Sequence, residues 1–187
     1  MNDINFYEGE RVRLTALDPV KDPDIEAVWS HTPDFLALFS SELQRPTSAH
    51  QLKKRYEERE KNREDDAYEF DLRIRLRADD RLIGVLTIWV EWGAGGAWLK
   101  LGIGMPEDRR QGYGREALAL ALRYIFSEMN LRRVTVGVPG YNEAALAFFA
   151  AAGCKVEARS REALFRFGRR LDEVSLGLLR AEWEAAR

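Results

Sequence analysis

The most regular alternation of apolar and charged residues in this sequence lies in the segment Glu69–Arg77. The apolar positions are Phe70, Leu72, Ile74 and Leu76. Because successive side chains of a β-strand point to opposite faces, this pattern predicts a strand with one apolar face. Asp79-Asp80 separates it from a second apolar run, Leu82–Val90, and the two runs together predict a hairpin.

Other segments along the chain also show the alternation or the short apolar runs that are typical of strands. They are Arg11–Leu17, Trp98–Met105, Val134–Val138, Cys154–Phe167 and Leu171–Leu179. Together with the hairpin, these segments predict a sheet of about seven strands.

Helical periodicity replaces strand alternation in parts of the second half of the chain. Between Arg115 and Met129, apolar residues recur three or four positions apart, which predicts an amphipathic helix. These residues are Leu118, Leu122, Ile125, Phe126 and Met129. A second helix is predicted over Asn142–Ala152, closed by Gly153.

Two earlier helices are predicted from the residues at their starts. Asp22-Pro23 is typical of a helix N-terminus, with Asp22 as the N-cap and Pro23 at the first helical position. Ser48 and Gln51 have the spacing of a capping box, which opens a charged helix that runs to about Asn62. The order of elements predicts an α+β fold in which a mostly antiparallel sheet is flanked by helices, in one domain spanning residues 1–187.

Composition narrows the class of protein further. The sequence is 45% hydrophobic with a net charge of −2, so nothing favours binding to nucleic acid, which requires a clear basic excess. The longest apolar stretches fall short of the roughly 20 residues that span a bilayer, and the N-terminus lacks the pattern of a signal peptide. We therefore expect a cytoplasmic protein that does not bind membranes. One cysteine, Cys154, and two histidines argue against disulfides and a metal site.

A glycine-containing turn between a predicted strand and a predicted helix is the strongest functional signal. Gly112 and Gly114 allow the backbone to approach a ligand, and the first N–H groups of the following helix point outward at the positive end of its dipole. Such a helix start holds phosphate groups. Arg109, Arg110 and Arg115 add positive charge there. The alternative is an ordinary turn with a solvated basic face, and the coincidence of glycines with arginines favours an anion site.

The sequence of the turn and the residues after the next strand indicate which class of phosphate ligand the turn binds. A nucleoside-triphosphate loop requires Gly-Lys followed by Ser or Thr, and this sequence has no such loop. The segment Gly112–Ala117 matches the dinucleotide pattern G-x-G-x-x-A, but that fold also requires an acidic residue after the next strand, to hold the ribose. The strand Val134–Val138 is followed by Pro139-Gly140-Tyr141 instead. We therefore reject a dinucleotide site.

The same residues resemble the GNAT superfamily of N-acetyltransferases. Arg109-x-x-Gly112-x-Gly114 resembles its pyrophosphate signature, and the segment Asn142–Phe149 is similar to its second motif, N-x-x-A-x-x-x-Y. The resemblance spans roughly residues 11 to 183 and is strongest to the branch of ribosomal-protein N-acetyltransferases. The segments that carry that branch resemblance are Arg161-Glu162-Ala163, Gly168-Arg169, Asp172 and Leu179–Trp183.

The resemblance implies transfer of an acetyl group from acetyl-CoA to a primary amine, directly within a ternary complex and without a metal. It also implies a sheet that splays at the end of the strand Trp98–Met105, where the pantetheine arm would lie. The residues implied to bind CoA are Ile103, Gly104, Met105, Arg109, Arg110, Gln111, Gly112, Tyr113, Gly114, Arg115, Asn142 and Phe149. For Asn142 a role as a helix N-cap is equally consistent with the sequence.

Phe149 departs from the family pattern. Many members have a tyrosine at this position, thought to protonate the departing thiolate, and phenylalanine has no proton to give. Either water or another group supplies the proton, or the step proceeds without a dedicated acid. We expect Phe148 and Phe149 to be core residues, and Cys154 to be a core residue rather than an acyl-carrying nucleophile.

A carboxylate base would help the reaction, because an amine with a pKa near ~10 is mostly protonated at neutral pH and an ammonium has no lone pair. Glu91 is the first candidate, and Glu69 and Asp71 are the next. The alternative, an ordinary solvated charge on a strand, is favoured over the catalytic role for each of these residues. The tryptophans near the hairpin are candidates for lining an acceptor pocket, namely Trp89, Trp92 and Trp98.

The sequence leaves the acceptor open: a protein N-terminus, an antibiotic amine, a polyamine and a free amino acid all fit. Two other functions also remain at this point, a non-catalytic acyl-CoA-binding module and a protein-interaction domain unrelated to CoA. The sequence also leaves the oligomeric state open, and because such folds often dimerise, a homodimer is one of the states it allows.

Overall fold

The computed structural model describes residues 5–39, 45–61 and 68–187. They contain a seven-stranded sheet in the order β1-β2-β3-β4-β5-β7-β6, with β4 and β5 parallel and the other neighbours antiparallel. The strands are β1 (Val12–Ala16), β2 (Glu69–Leu76), β3 (Leu82–Glu91), β4 (Gly96–Ile103), β5 (Arg133–Pro139), β6 (Lys155–Arg166) and β7 (Arg169–Leu179). The predicted α+β fold with a mostly antiparallel sheet is confirmed.

Helices flank this sheet. They are α1 (Asp22–Ser30), α2 (Pro33–Phe39), α3 (Ala49–Lys61), α4 (Tyr113–Arg123), α5 (Glu143–Ala151) and α6 (Arg180–Ala185). The helix predicted to end at Met129 continues beyond α4 as a π-helical turn, Tyr124–Glu128. The capping box of α3 is present, since the Gln51 N–H donates to Ser48 Oγ and the Ser48 N–H donates to Gln51 Oε1. Asn62 lies outside the described residues. Of the described helices, none has both the length and the apolar character needed to cross a membrane.

The prediction that Asp22 caps α1 was wrong. Asp22 is itself the first residue of the helix, and Lys21 holds the N-cap position without a side-chain cap. The Asp22 carboxylate is fully buried, where it accepts hydrogen bonds from the Asp18 N–H at 2.8 Å and from the Arg75 guanidinium. A buried carboxylate requires a charged partner, and Arg75 on β2 provides it, so this acidic residue ties α1 to the sheet.

The two faces of the sheet are covered differently. On the face of α4, side chains from β1 to β5 and from β7 form the main apolar core with the helix and its π-helical turn. On the other face, α1 and α3 cover the charged side of β2, where Arg73 is only 2% exposed. Arg73 Nε donates to Glu26 of α1 at 2.6 Å, and its Nη1 donates to Asp71 at 2.8 Å. The charged face that the alternation predicted for β2 is therefore a buried ion-pair layer.

The sheet opens between its two parallel strands. Pairing between β4 and β5 is confined to Gly96–Trp98 against Arg133–Thr135. Beyond Trp98, β4 continues to Ile103 beside β3, while β5 continues to Pro139 beside β7. The second half of β4 therefore presents an open edge toward β5, and this opening positions the candidate site.

Candidate active site

A cleft of about 580 Å³ lies at the open end of β4, between α2, the turn before α4, and α5. Its wall includes Leu101, Gly102 and Ile103 of β4 and the apolar side chains of Phe35, Leu38 and Phe39 of α2. The residues predicted to bind CoA that line this cleft are Ile103, Arg109, Arg110, Gly112, Gly114, Arg115, Asn142 and Phe149. The structure therefore brings most of the predicted CoA set around one cavity.

A second pocket of about 460 Å³ lies on the opposite side of the opening. Trp89 of β3, Trp98 and Lys100 of β4, and Gly137 of β5 form part of its wall. The residues that line both cavities are Leu38, Phe39, Leu101, Asn142, Ala145 and Phe149. Because they share these walls, the two cavities adjoin at the centre of the opening.

The open edge of β4 supplies backbone donors to the first cleft. The Gly104 N–H donates to the Ile83 carbonyl of β3 at 2.9 Å. Since hydrogen-bonding direction alternates along an antiparallel pair, the N–H groups of Leu101 and Ile103 point away from β3, toward the opening. Pairing with β5 has already ended at Trp98. An extended amide-containing ligand can therefore bind along this edge as a strand would.

The turn before α4 has the conformation that the glycines predicted. Gly112 precedes the helix with φ = 86°, in the left-handed region that favours glycine. A Cβ added to Gly112 would lie 2.7 Å from Nη2 of Arg11. Arg11 also donates from Nη1 to the Gln111 carbonyl at 2.9 Å, and its guanidinium stacks over the ring of Tyr113. The turn is thus held from outside by a cation that the sequence patterns did not single out.

Arg109 has structural contacts in addition to its position at the cleft. Its Nε donates to the Ile103 carbonyl at 3.2 Å, and its Nη2 donates to the Gly104 carbonyl at 2.7 Å. The guanidinium therefore fixes the end of β4 to the turn, although the residue still lines the cleft. Arg110 and Arg115 also line the cleft, and both are exposed. These two arginines are therefore the ones whose charge faces solvent at the cleft.

Four residues of the predicted CoA set do not line the cleft, and each has a packing role. Gly104 lies against Trp29, whose ring would be 2.1 Å from an added Cβ. Met105 packs with the same small apolar cluster. Gln111 and Tyr113 contact Arg11 through a carbonyl and a ring, respectively. These residues shape the turn and the end of β4.

Asn142 connects two helices beside the cleft. Its Oδ1 accepts from the Ala145 N–H at 3.1 Å, so it is the N-cap of α5. Its Nδ2 donates to the Leu38 carbonyl of α2 at 3.1 Å. The adjacent Tyr141 donates its hydroxyl to the Ala37 carbonyl at 2.6 Å. Together these two side chains fix the C-terminal end of α2 over both cavities.

Phe149 is both a core residue and a wall of the site. It is 6% exposed and meets Phe148 edge to face, with ring centroids 5.0 Å apart. This confirms the expected packing role for Phe149, while its position in both cavity walls places the ring where they adjoin. Cys154 is buried in the same apolar core, and its burial raises the pKa of the thiol to about 11. A thiol with this pKa stays neutral near pH 7, which disfavours its use as a nucleophile.

Glu91, the first candidate base, lies at the paired end of the sheet. It is exposed and pairs with Gly96 at the start of β4. At about 3.4 Å per residue, the distance along β4 from Gly96 to Leu101, where the cavities adjoin, is about 17 Å. The structure therefore does not bring Glu91 to the site.

Glu69 and Asp71 lie on β2, two strands away from β4. Both carboxylates are held by Arg59 of α3, at 2.8 Å and 3.1 Å, and Asp71 also binds Arg73. Burial raises the pKa of Glu26, the other partner of Arg73. These carboxylates belong to the ion-pair layer under α1 and α3, and none of them lines either cavity.

Two of the three tryptophans considered for an acceptor pocket lie in the wall of the second pocket. Trp89 and Trp98 are register partners on adjacent strands, they are 38% and 41% exposed, and both line the second pocket. Trp92 is exposed beyond the end of β3 and does not line it. Sequence patterns missed Lys100, whose Nζ lies 4.2 Å from the centroid of the Phe39 ring. An aromatic wall with a nearby cation gives this pocket both apolar and polar surfaces.

The comparison with family models matches residues 11–155 to the acetyltransferase (GNAT) domain. The chain belongs to the GNAT family of acetyltransferases. An uncharacterized N-acetyltransferase from the SPbeta prophage of Bacillus subtilis, YokL, is 24% identical over 184 residues, which cover 97% of each chain. These matches support an N-acetyltransferase, rather than an unrelated protein-interaction domain.

Solved structures share the GNAT fold. The crystal structure of a "Probable acetyltransferase" has a TM-score of 0.81 at 22% identity, covering 94% of this chain and 96% of that chain. Spermidine N-acetyltransferase from Vibrio cholerae, in complex with CoA and spermine, has a TM-score of 0.80 at 21% identity, covering 92% of this chain and 98% of that chain. At these identities the likeness establishes the fold, which is one that binds CoA in that neighbour.

Proposed function

We propose that this GNAT protein transfers the acetyl group of acetyl-CoA directly to a primary amine bound in the second pocket. The observation that carries the proposal is that the first cleft and the second pocket adjoin and share Leu101 and Phe149. A thioester arriving from one side and an amine from the other can therefore meet without an acyl-enzyme intermediate. The buried Cys154 fits this route, since its neutral thiol is a poor acyl carrier.

The chain's own residues would act mainly by position. In this proposal, exposed Arg110 and Arg115 and the N-terminus of α4 bind the pyrophosphate, and the edge of β4 binds the pantetheine arm. The Ile103 N–H, which points into the opening, would donate to the thioester oxygen as negative charge develops on it. Backbone donors fixed in a sheet require little rearrangement during the reaction, which is why they are effective in this role.

For the acceptor, the second pocket supports an amine with an apolar or aromatic portion. Trp89 and Trp98 present flat surfaces on which such a portion can pack. Lys100 lies in the same wall and disfavours a second or third ammonium group nearby. The resemblance to ribosomal-protein N-acetyltransferases makes a peptide N-terminus with an apolar first side chain the corresponding protein acceptor.

The test is a panel of amines assayed for release of free CoA. It contains phenethylamine, a peptide with an N-terminal phenylalanine, spermidine and a free amino acid. We expect the first two to be turned over faster than spermidine, and Trp98→Ala to raise their KM by about 10-fold, the equivalent of about 1.4 kcal/mol. The KM for acetyl-CoA should change little, because Trp98 does not line the first cleft. Absence of CoA release with every amine would contradict the proposal.

A further inference from the structure

A carboxylate that no sequence pattern singled out lies next to Gly137, a residue of the second pocket's wall, although the carboxylate itself does not line that pocket. Glu173 is on β7, where it pairs with Pro139 at the end of β5. Its side chain reaches diagonally toward Gly137: Oε1 would be 3.6 Å from a Cβ added there, and the ring of Trp98 would be 4.0 Å from the same point. The absence of a side chain at Gly137 thus leaves this carboxylate and Trp98 on the same side of β5, beside one another.

The position of Glu173 along the sheet matches the opening. Thr135 is the last residue of β5 that pairs with β4, and Gly137 lies two residues further along β5, on the same face. Gly137 lines the second pocket, and Glu173 is half-buried. The carboxylate therefore lies where β5 has just separated from β4, beside the space in which an amine would approach the thioester.

Other nearby carboxylates fit this role less well. Glu91 lies at the paired end of β4, and Asp71 lies on β2, two strands away from β4. Glu157 is on the same face as Glu173 but lies over Gly177. Gly177 pairs with Thr135, where β5 is still joined to β4, so Glu157 lies farther from the opening.

We propose that Glu173 is the general base of the reaction, which rests on the proposed function of the site. The Glu173 carboxylate takes one proton from the bound ammonium, which leaves a neutral amine with a lone pair. The nitrogen forms a bond to the thioester carbonyl carbon, and the carbon–sulfur bond breaks with its electron pair on sulfur. The second proton leaves nitrogen and ends on the CoA thiolate, while Glu173 returns its proton to solvent. The products are the amide, CoA and one proton.

The test compares two acceptors that differ in basicity. Phenethylamine is protonated at pH 7 and requires the base, whereas phenylhydrazine is already neutral at that pH. Glu173→Gln should lower kcat with phenethylamine by about 10²-fold or more, and with phenylhydrazine by less than about 10-fold. The low-pH limb of the phenethylamine profile, which reports the base, should disappear in the variant. A residue that only supports the fold would affect both acceptors equally.

Glu157→Gln is the matched control, since it changes a carboxylate on the same face away from the opening, and it should keep wild-type turnover with both acceptors. CoA affinity measured by calorimetry should be unchanged in both variants. If Glu173→Gln does not fold, Glu173→Asp replaces it, with a loss confined to phenethylamine. Equal losses with both acceptors, or unchanged turnover with phenethylamine, would overturn the assignment of Glu173 alone. A wild-type protein that releases CoA with neither acceptor would overturn the proposed function as well.

Discussion

Gly112→Val tests whether the turn before α4 binds the pyrophosphate of CoA. Gly112 has φ = 86°, and a β-branched residue is strained in this conformation. An added Cβ would also lie 2.7 Å from Nη2 of Arg11, the terminal atom of a flexible side chain that can move aside. The main cost is therefore the backbone strain, about 1–2 kcal/mol, which the turn relieves by changing its dihedral angles.

The strain should change both the melting temperature and the Kd for CoA. For a domain of this size, a loss of 1–2 kcal/mol lowers the melting temperature by about 2–8 °C. A turn that has rotated loses at least one charge-assisted hydrogen bond to phosphate, worth about 1.5–3 kcal/mol. Because 1.4 kcal/mol corresponds to a factor of ten, the Kd for CoA should rise by about 10- to 100-fold. Calorimetry measures the Kd, and thermal melting confirms that the variant is folded.

Gly168→Val is the matched control. Gly168 also has a positive φ, 72°, and an added Cβ would meet nothing within 4 Å. It lies in the turn between β6 and β7 and lines neither cavity. The control should lower the melting temperature by a similar amount and leave the Kd for CoA unchanged. If Gly112→Val binds CoA with wild-type affinity while folded, the pyrophosphate does not bind at this turn.

Two further variants address the route of the acetyl group and its protons. Cys154→Ala should keep kcat within about 2-fold, since burial keeps this thiol neutral and unsuited to carry an acyl group. Mass spectrometry of the wild-type protein after incubation with acetyl-CoA should detect no acetyl group on Cys154. A stable thioester on Cys154 that disappears on addition of the amine would contradict direct transfer. Phe149→Tyr should leave kcat unchanged or raise it, with any gain largest below pH ~9, where a phenol keeps its proton. A large loss of turnover with normal melting would mean that the Phe149 ring lies in a dry, packed environment.

The sheet and its main helices were predictable because their patterns are long and regular. The alternation in β2 and the helical spacing in α4 each extend over several repeats, and both elements form where predicted. The capping box at Ser48 and Gln51 formed as well, since it depends only on residues three positions apart. These elements can be predicted from the sequence because the interactions that form them are between residues close together in the chain.

Helix α2 escaped prediction for the opposite reason. Its sequence, PDFLALF, is short and almost entirely apolar, so it has no polar face from which a helical period can be recognised. Its position is fixed by distant residues: Tyr141 and Asn142 bind its last carbonyls, and Phe39 packs onto Gly102 of β4. A segment stabilised by contacts about 100 positions away along the chain carries little local signal.

The role proposed for Glu173 could not be predicted from the sequence, because it depends on strand register. Its sequence environment, Leu171–Val174, alternates like any other strand. Only the pairing of β7 with β5 shows that its side chain lies over Gly137. A one-residue shift in register would turn the carboxylate to the core face. The sequence instead favours Glu91, which ends a hairpin strand expected to face the cleft, and the structure places it at the paired end of the sheet.

The glycines around the opening differ in how much space an added side chain would have. A Cβ at Gly102 would lie 2.4 Å from the Phe39 ring, so any side chain there must displace this ring, which lines both cavities. At Gly137, the nearest atom would be 3.6 Å away, in Glu173, which is ordinary van der Waals contact. A small residue can therefore enter the second pocket at Gly137 without disturbing the fold. It follows that β4 and α2 fix the geometry of the first cleft, while β5 can vary the space in the second pocket.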